Sequence, residues 1–203
     1  MKKTVAAFFL FILAALPASA DSPVGTVTTV TGDAAVERRG SFIPAVPGME
    51  IRKGDVFQSG PGGSMDISLN DLAGCRILPS SEVNLEETAS ENMRLNVVSG
   101  NVILNLQKLP RASKFRVETP TAIASVRGTQ FWGRVDSASG DAVTTFAVRE
   151  GEVKVLARGA RRNFRLKPGQ AVDIPRSGRP VSRKALEGEM QAMEQASTVK
   201  TAA

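Results

Sequence analysis

Hydrophobic and polar residues alternate along most of the chain, from Val24 to about Ile174. In the stretch that contains Met65, Ile67 and Leu69, every second side chain is apolar. This period of two is typical of a β-strand that buries one face and exposes the other to solvent. The same alternation recurs at Leu95 and Val97, Val102 to Leu106, Phe115 and Val117, Val153 and Val155, Phe164 and Leu166, and Val172 and Ile174.

Turn sequences separate these stretches, among them KGD, SGPGGS, SGN, SASGD and KPGQ. Each supplies glycine, which tolerates a positive φ, or proline, which fixes φ. Short strands that follow one another at intervals of roughly 8–12 residues indicate a sandwich, a roll or a barrel. We therefore predict an all-β fold, an antiparallel β-sandwich or roll of many short strands.

The pattern changes after residue 175. Three residues interrupt the strand alternation: Pro175, Gly178 and Pro180. Ser182 then precedes RKALEGEMQAMEQA, in which Leu186, Met190 and Met193 recur at helical spacing. We expect one all-β domain over residues 21–175, followed over 176–203 by a linker, a short amphipathic helix and a frayed tail. The helix either docks on the β domain, the interpretation we favour, or binds a partner.

The N-terminus has the three parts of a signal peptide. A positive Met1-Lys2-Lys3 precedes an apolar run, and the small residues Ala18-Ser19-Ala20 follow. The apolar run is short for a membrane span, and no second long apolar segment follows it. We expect cleavage after Ala20, export to the periplasm, and no integral membrane segment in the mature chain.

The residue types that are missing restrict the chemistry. The chain has one cysteine, Cys75, and neither histidine nor tyrosine. An intramolecular disulfide, a histidine-based triad and a zinc site with histidine ligands are therefore impossible. Glu86 and Glu87 are adjacent on a predicted strand, so they would point to opposite faces and form no carboxylate dyad. We predict no catalytic residue, no cofactor and no metal, and we expect Cys75 to be a small buried hydrophobe.

Basic residues are concentrated towards the C-terminus. The formal net charge is +6, which becomes +4 if Lys2 and Lys3 are removed with the signal peptide. Four arginines are candidates for an interface: Arg158, Arg161, Arg162 and Arg165. A solvated basic face is the simplest interpretation, and an acidic protein or an anionic envelope polymer is the alternative. We expect no nucleic-acid partner, because an exported protein rarely meets one.

The segment TPTAIASVRGTQFW, residues 119–132, places Arg127 and Gly128 after a run of small apolar residues. In an unbroken strand the guanidinium of Arg127 would stand among apolar neighbours and would need acceptors, and Gly128 would permit a bulge. Arg127 is then either a buried structural lock, which we favour, or a contact to a ligand. Trp132 is a candidate for an exposed interface residue, although a core position is the simpler expectation.

The segment TPTAIASVRGTQF resembles the signature of the FecR-domain family, in which Val-Arg-Gly-Thr-x-Phe follows a Thr-Pro and small apolar residues. The family residues present here are Thr119, Pro120, Arg127, Gly128, Thr129, Phe131, Gly54 and Asp55. The order VTTVTGDAAVERRG, KGDVFQSG, VVSGNVILNL and FAVREGEVKV also follows the family, over about residues 24–174. One turn departs from it, since DLAGC replaces the usual Asp-Gly-Ser.

The resemblance implies a periplasmic domain. Family members of the iron-uptake regulator type also carry a membrane helix and a cytoplasmic segment that controls a sigma factor, and we expect this chain to be a stand-alone periplasmic version. We therefore predict a non-catalytic exported module that binds another envelope protein, with a role in envelope signalling. The alternative is binding to peptidoglycan or another anionic polymer, which should weaken steeply as the salt concentration rises.

Overall fold

The computed structural model describes residues 22–70, 72–89, 92–108, 113–137, 140–160 and 163–196. The expected signal peptide, the expected frayed tail, and Arg161 and Arg162 lie outside these residues. Within the described ranges, no helix is both long and apolar enough to cross a membrane.

The described residues form strands for most of their length, followed by one short helix near the C-terminus, which confirms the predicted all-β class. The strands of the first half are β1 (Gly25–Thr31), β2 (Ala34–Arg38), β3 (Ser41–Pro44), β4 (Glu50–Ile51), β5 (Val56–Ser59), β6 (Ser64–Leu69), β7 (Ala73–Ile77), β8 (Ser81–Ala89) and β9 (Asn92–Leu106). Those of the second half are β10 (Lys114–Glu118), β11 (Ala122–Val126), β12 (Gln130–Asp136), β13 (Val143–Glu150), β14 (Val153–Ala157), β15 (Asn163–Leu166), β16 (Gln170–Pro175) and β17 (Val181–Lys184). The helix is α1 (Glu187–Gln195).

The strands make two sheets that share β9. Sheet 1 has the order β4-β1-β6-β7-β9-β12-β13-β16-β17. Sheet 2 has the order β3-β2-β5-β8-β9-β10-β11-β14-β15. Neighbouring strands are antiparallel, apart from the parallel pair β9 and β10. The inner faces of both sheets contribute to one continuous apolar core, so the architecture is a β-sandwich.

The long strand β9 passes from one sheet to the other at Gly100. Its residues before Gly100 pair with β8 and β10 in sheet 2, and those after it pair with β7 and β12 in sheet 1. Gly100 has a φ of +83°, and a Cβ atom there would lie 2.5 Å from the carbonyl oxygen of Ser80. Next to it, the backbone N–H of Asn101 donates to the hydroxyl of Ser81 at 2.8 Å. Only glycine therefore fits the crossing.

Large apolar side chains fill the space between the sheets. Phe57, Phe115, Phe131 and Phe146 are fully or almost fully buried, and the rings of Phe131 and Phe146 lie 6.2 Å apart in a tilted arrangement. Cys75 is also fully buried, as expected. Burial, and to a smaller extent the nearby charge of Asp66, raises the pKa of its thiol far above the ordinary range, so the sulfur serves as a small apolar group.

The C-terminal segment continues the sandwich. Val181–Lys184, within the segment we expected to be a linker, forms β17 and extends sheet 1 by pairing with β16. The predicted helix is present, but it begins at Glu187, later than Ser182 suggested. The carboxylate of Glu189 accepts the backbone N–H of Leu186 at 2.7 Å, which satisfies a donor at the helix N-terminus.

Substitution of Gly100 tests the crossing. We expect Gly100→Ala to lower the free energy of unfolding by about 3 kcal/mol or more, because it adds a steric clash to an unfavourable φ. Gly48 is the matched control, since its φ is +86° but nothing lies within 4 Å of the added methyl group. Gly48→Ala should cost about 1 kcal/mol. Urea denaturation of both variants measures the difference, and equal losses would contradict the steric role of Gly100.

Candidate functional site

The Thr-Pro-Thr at the start of the signature segment ties the two sheets together. It forms the turn between β10 and β11, where the hydroxyl of Thr119 accepts the backbone N–H of Ala122 at 3.0 Å. The hydroxyl of Thr144, on β13 of sheet 1, lies 2.9 Å from that of Thr119 and 2.6 Å from that of Thr121. The hydroxyl of Thr121 also lies 2.9 Å from the carbonyl oxygen of Ile174. These buried groups form a polar lock across the core.

The glycine of the signature marks a second crossing between the sheets. Gly128 has a φ of +63° and lies in the bend that takes the chain from β11 in sheet 2 to β12 in sheet 1. Gly151 packs so closely that a Cβ atom on it would overlap the carbonyl oxygen of Gly128 and lie 2.7 Å from the side chain of Thr129. Thr129 and Phe131 are buried at the start of the next strand. These three signature residues therefore fix the path of the chain.

Arg127 does not lie in the core. Strand β11 buries alternate residues up to Val126, and Arg127 lies on its other side with Ser125, where both side chains are exposed. The expectation of a buried lock at Arg127 was wrong, because it took this outer side of the strand for one packed among apolar neighbours. The lock between the sheets is made by the threonine hydroxyls instead.

Gly54 and Asp55, the other family residues, hold a turn in place. The carboxylate of Asp55 is fully buried and accepts both Nε and Nη2 of Arg38 at 2.7 Å. It also accepts the backbone N–H of Arg52 at 2.8 Å. The hydrogen bond to Asp55 raises the pKa of Arg38. This arrangement joins the turn before β5 to β2, and it leaves no carboxylate oxygen facing solvent for chemistry.

Trp132 lies beneath the C-terminal helix, on the outer face of sheet 1. It is 9% exposed and packs in a second apolar cluster with Ile103, Ala147 and Met193. The side-chain amide of Gln130 donates to the carbonyl oxygen of Met193 at 2.7 Å, which fixes the end of the helix over the sheet. Trp132 is therefore covered by the protein's own helix, and α1 docks on the β domain, as we favoured.

Arg183 clamps the start of this helix to the sheet. Its guanidinium donates to the carboxylate of Asp173 on β16 at 2.7 Å and to that of Glu189 on α1 at 2.6 Å. These bonds, first that to Glu189 and then that to Asp173, raise the pKa of Arg183. Partial burial alone would raise the pKa of Asp173, but hydrogen bonds from Arg183 and Thr145 outweigh it and lower the pKa. The clamp therefore depends on charged carboxylates.

Of the four arginines predicted as an interface, the structure describes two, Arg158 and Arg165. Nε of Arg158 donates to the backbone oxygen of Thr119 at 3.0 Å, and its Nη2 pairs with Glu118 at 3.3 Å. Arg165 pairs with Glu152 at 3.1 Å on the exposed face of sheet 2. Both side chains are exposed, and the prediction for Arg161 and Arg162 lies outside the described residues.

A groove of about 550 Å³ runs along the exposed face of sheet 2, over β10, β11 and β14. Its lining includes four cationic side chains: Lys114, Arg116, Arg127 and Lys154. Ser125 lies at the centre, because the strand register places it directly opposite Arg116 on β10 and Lys154 on β14. We call this feature the cationic groove. Its arrangement suits the binding of negatively charged groups.

Sequence reasoning identified Arg127 but missed the other three cations of the groove. The signal was present, since Lys114 and Arg116 alternate with the core residues Phe115 and Val117 and must therefore face outward. What the sequence lacks is the strand order, which brings β14 next to β11 and so places Lys154 beside Ser125.

The charged residues suit binding rather than metal chemistry. Among the residues that the structure describes, no group of three or more histidine, cysteine, aspartate or glutamate side chains is placed to hold a metal ion. Nor does any hydrogen bond join Ser125 to Lys154 in the groove, and both side chains are exposed. An activated serine would need a base within hydrogen-bond reach. The groove as it stands presents cations and a small hydroxyl side chain to solvent.

Two substitutions test whether the threonine hydroxyls or Arg127 stabilise the contact between the sheets. We expect Thr121→Val to lower the free energy of unfolding by about 1–3 kcal/mol, because it strips a buried hydrogen-bond partner from Thr144 and Ile174. Arg127→Gln should change it by less than about 0.5 kcal/mol, as for most exposed positions. Urea denaturation measures both. A loss of about 3–5 kcal/mol in Arg127→Gln would restore the buried-lock interpretation.

The helix clamp can be followed through Trp132, the only tryptophan in the chain. Glu189→Gln removes the charge that faces Arg183, so α1 should loosen and the tryptophan emission should shift to longer wavelength. Glu187→Gln is the control, because Glu187 is exposed in the same helical turn. In the unsubstituted protein the same shift should appear as the pH falls below about 4, because folding lowers the pKa of Asp173, the carboxylate of the clamp on β16. The stability that this gives is present above the ordinary pKa of Asp173 and is lost as Asp173 is protonated. Identical spectra for the two variants would contradict the clamp.

Comparison with known proteins places this geometry in a family. The family model described as "FecR protein" matches residues 55–154. Two crystal structures of a protein from Parabacteroides distasonis ATCC 8503, described as a "putative anti-sigma factor", share the fold with a TM-score of 0.59 each. Their sequences are 17% and 18% identical to this chain. No match was found among curated proteins.

The structural likeness covers 69% of this chain and 64% of the other, so the chain spans less than two thirds of that protein. At such low identity the likeness concerns the fold alone. The family match is more specific, because it contains Asp55 at its start, the whole segment from Thr119 to Trp132, and every residue that lines the cationic groove. Residues 55–154 of the chain therefore belong to the FecR protein family, as the signature segment predicted.

Proposed function

We propose that this protein is a non-catalytic interaction module of the cell envelope, which is exported to the periplasm and binds another envelope protein in a signalling pathway. The observation that carries the proposal is the cationic groove, which lies entirely within the FecR-matched residues and is open to solvent. The signature residues around it fix the fold, so the groove is the part of the domain left to meet a partner.

Binding is favoured over catalysis by the chemistry of the residues in the groove. The chain contains no histidine, and the carboxylate of Glu152 at the edge of the groove is engaged by Arg165. Cations without a matched acid–base pair can hold and orient an anionic group, but they provide no route for proton transfer. Recognition is the activity that this set of side chains supports best.

The proposed location rests on the N-terminal sequence, in which a positive start, an apolar run and small residues precede Asp21. The proposed kind of partner draws on the family match and on the description of the structural neighbours as anti-sigma factors, proteins named for a protein partner. An envelope signalling module would need a protein-binding surface on a stable frame, which is the arrangement of groove and sandwich described above.

Photo-crosslinking in cells tests the proposal. A photoreactive amino acid at Leu156, which is exposed on the same face as the groove, should capture one dominant protein. The control probe replaces Val181, which is 58% exposed at the far edge of sheet 1 and should not give that adduct. The periplasmic and cytoplasmic fractions are separated for both probes, and an adduct found only in the cytoplasm would contradict the proposed location.

Two outcomes would overturn the proposed protein partner. The first is capture of the same proteins from both positions, which would indicate random collision. The second is capture of no protein, together with sedimentation of the purified chain with cell wall in a salt-sensitive manner. The second result would support attachment to an anionic polymer.

A further inference from the structure

We infer that the cationic groove binds an extended acidic segment of the partner protein, in which carboxylate side chains are followed on the same face by an apolar side chain. The inference rests on the proposed function, because it names the surface and the chemistry of that protein partner. It is carried by the arrangement of side chains in successive rows across sheet 2.

The first row supplies two cationic walls and a low floor. Arg116, Ser125 and Lys154 lie side by side on β10, β11 and β14 and face the same side of the sheet. Adjacent strands are about 4.8 Å apart, so the two cationic residues stand about 10 Å apart with the small serine between them. An extended backbone fits over such a channel, with the side chains of one face directed down between the two walls.

The charges in this row are not neutralised by the protein itself. Within the described part of the chain, Lys114, Arg116 and Lys154 make no salt bridge with any carboxylate. The one acidic side chain that lines the groove, that of Glu152, is paired with Arg165 at 3.1 Å. Three cations are therefore available to carboxylates of a ligand, and the guanidinium of Arg116 can bind a carboxylate in bidentate fashion.

The spacing along the strands matches an extended peptide. Lys114 and Arg116 are two residues apart on β10 and face the same side, so they repeat at about 7 Å. Acidic side chains at alternate positions of an extended chain repeat at the same distance. Successive carboxylates of such a segment can therefore meet successive cations without a change of backbone geometry.

The next row is apolar. Two residues before Ser125 on the same face of β11 lies Ile123, and the register pairs it with Leu156, which is 36% exposed. On the other side of Ile123 is Glu118, whose carboxylate is engaged by Arg158. An apolar side chain of the ligand would lie over Ile123 and Leu156, one same-face step from the carboxylates.

This second row decides between a protein segment and a uniform polyanion. A polymer that carries the same negative charge at every repeat would bring charge onto the apolar side chains of Ile123 and Leu156. A peptide can place an apolar residue there and avoid that cost. The groove therefore fits an acidic and apolar peptide segment better than a polyphosphate or a charged glycan.

Peptide binding to the full mature chain tests the inference. The probe is a fluorescently labelled peptide of alternating glutamate and serine that ends in valine at the next same-face position, and its binding is measured by anisotropy. The variant Arg116→Gln with Lys154→Gln should bind it at least about tenfold more weakly, because charge-assisted contacts to two walls are lost. The matched control, Arg179→Gln with Lys184→Gln, removes one arginine and one lysine that are exposed outside the groove and should bind as the unsubstituted chain does.

A second comparison needs no protein variant. The unsubstituted chain should bind the glutamate peptide at least about tenfold more tightly than the same peptide with glutamine in place of glutamate. It should also prefer the peptide that ends in valine to one that ends in serine. Equal affinity of the two double variants, equal affinity for the glutamate and glutamine peptides, or stronger binding of inorganic polyphosphate than of the acidic peptide would each overturn the inference.

The failure of this inference can be told apart from that of the proposed function. If the probe at Leu156 captures its partner equally well in cells when Arg116 and Lys154 are both glutamine, the protein partner stands and the acidic-segment inference falls. If the double substitution abolishes that adduct while the control pair leaves it intact, both stand.

Discussion

The sandwich depends on one constraint, the passage of β9 from sheet 2 to sheet 1 at Gly100. Because β9 pairs with β8 and β10 before this point and with β7 and β12 after it, a single strand sets the register of both sheets. The backbone of Ser80 and Ser81 lies so close that any side chain on Gly100 would push β9 away from the start of β8. Once the path of β9 is fixed, the position of each later pair of strands on sheet 1 or sheet 2 follows from it. The bend at Gly128 then repeats the same kind of crossing between β11 and β12.

The family signature therefore describes how the chain is routed rather than a reactive centre. The buried hydroxyls of Thr119 and Thr121 on the side of sheet 2 both form hydrogen bonds with that of Thr144 on sheet 1. They therefore join two sheets that otherwise share only β9 through backbone hydrogen bonds. Gly128 forms the turn between β11 and β12 with a positive φ, which a residue without a side chain adopts most easily. A buried hydroxyl network of this kind stabilises a fold only when every member has a partner, which explains why a small motif can fix a large sandwich. Arg127 is the signature residue whose side chain lies outside the core, at the protein surface.

Much of this fold could be predicted from alternation alone, as Met65, Ile67 and Leu69 show by lying in the core where the pattern placed them. The same alternation places Arg127 on the exposed face of β11 with Ser125, and the expectation of a buried side chain failed because it took that face for one packed among apolar neighbours. Docking of the helix was foreseen from its methionines, but the strand before it was not, since Val181–Lys184 is short and polar and is held by pairing with β16. The cationic groove could not be assembled from sequence, because Lys154 reaches Ser125 only through the strand order.

The division of charged residues between the two outer faces explains where recognition can occur. On sheet 1, Arg183 and the neighbouring carboxylates are used to hold α1 over Trp132, so this face is covered by the protein's own helix. On sheet 2 no described helix covers the strands, and the cations at Arg116 and Lys154 remain turned to solvent beside the apolar pair Ile123 and Leu156. On adjacent strands of this face, Arg116 is in register with Arg94, and Lys154 is in register with Arg165. Like charges that oppose each other in this way destabilise a sheet, so the arrangement is unfavourable for the isolated domain. An anionic partner that neutralises these cations would offset this cost. Binding of such a partner is therefore most favourable on the outer face of sheet 2.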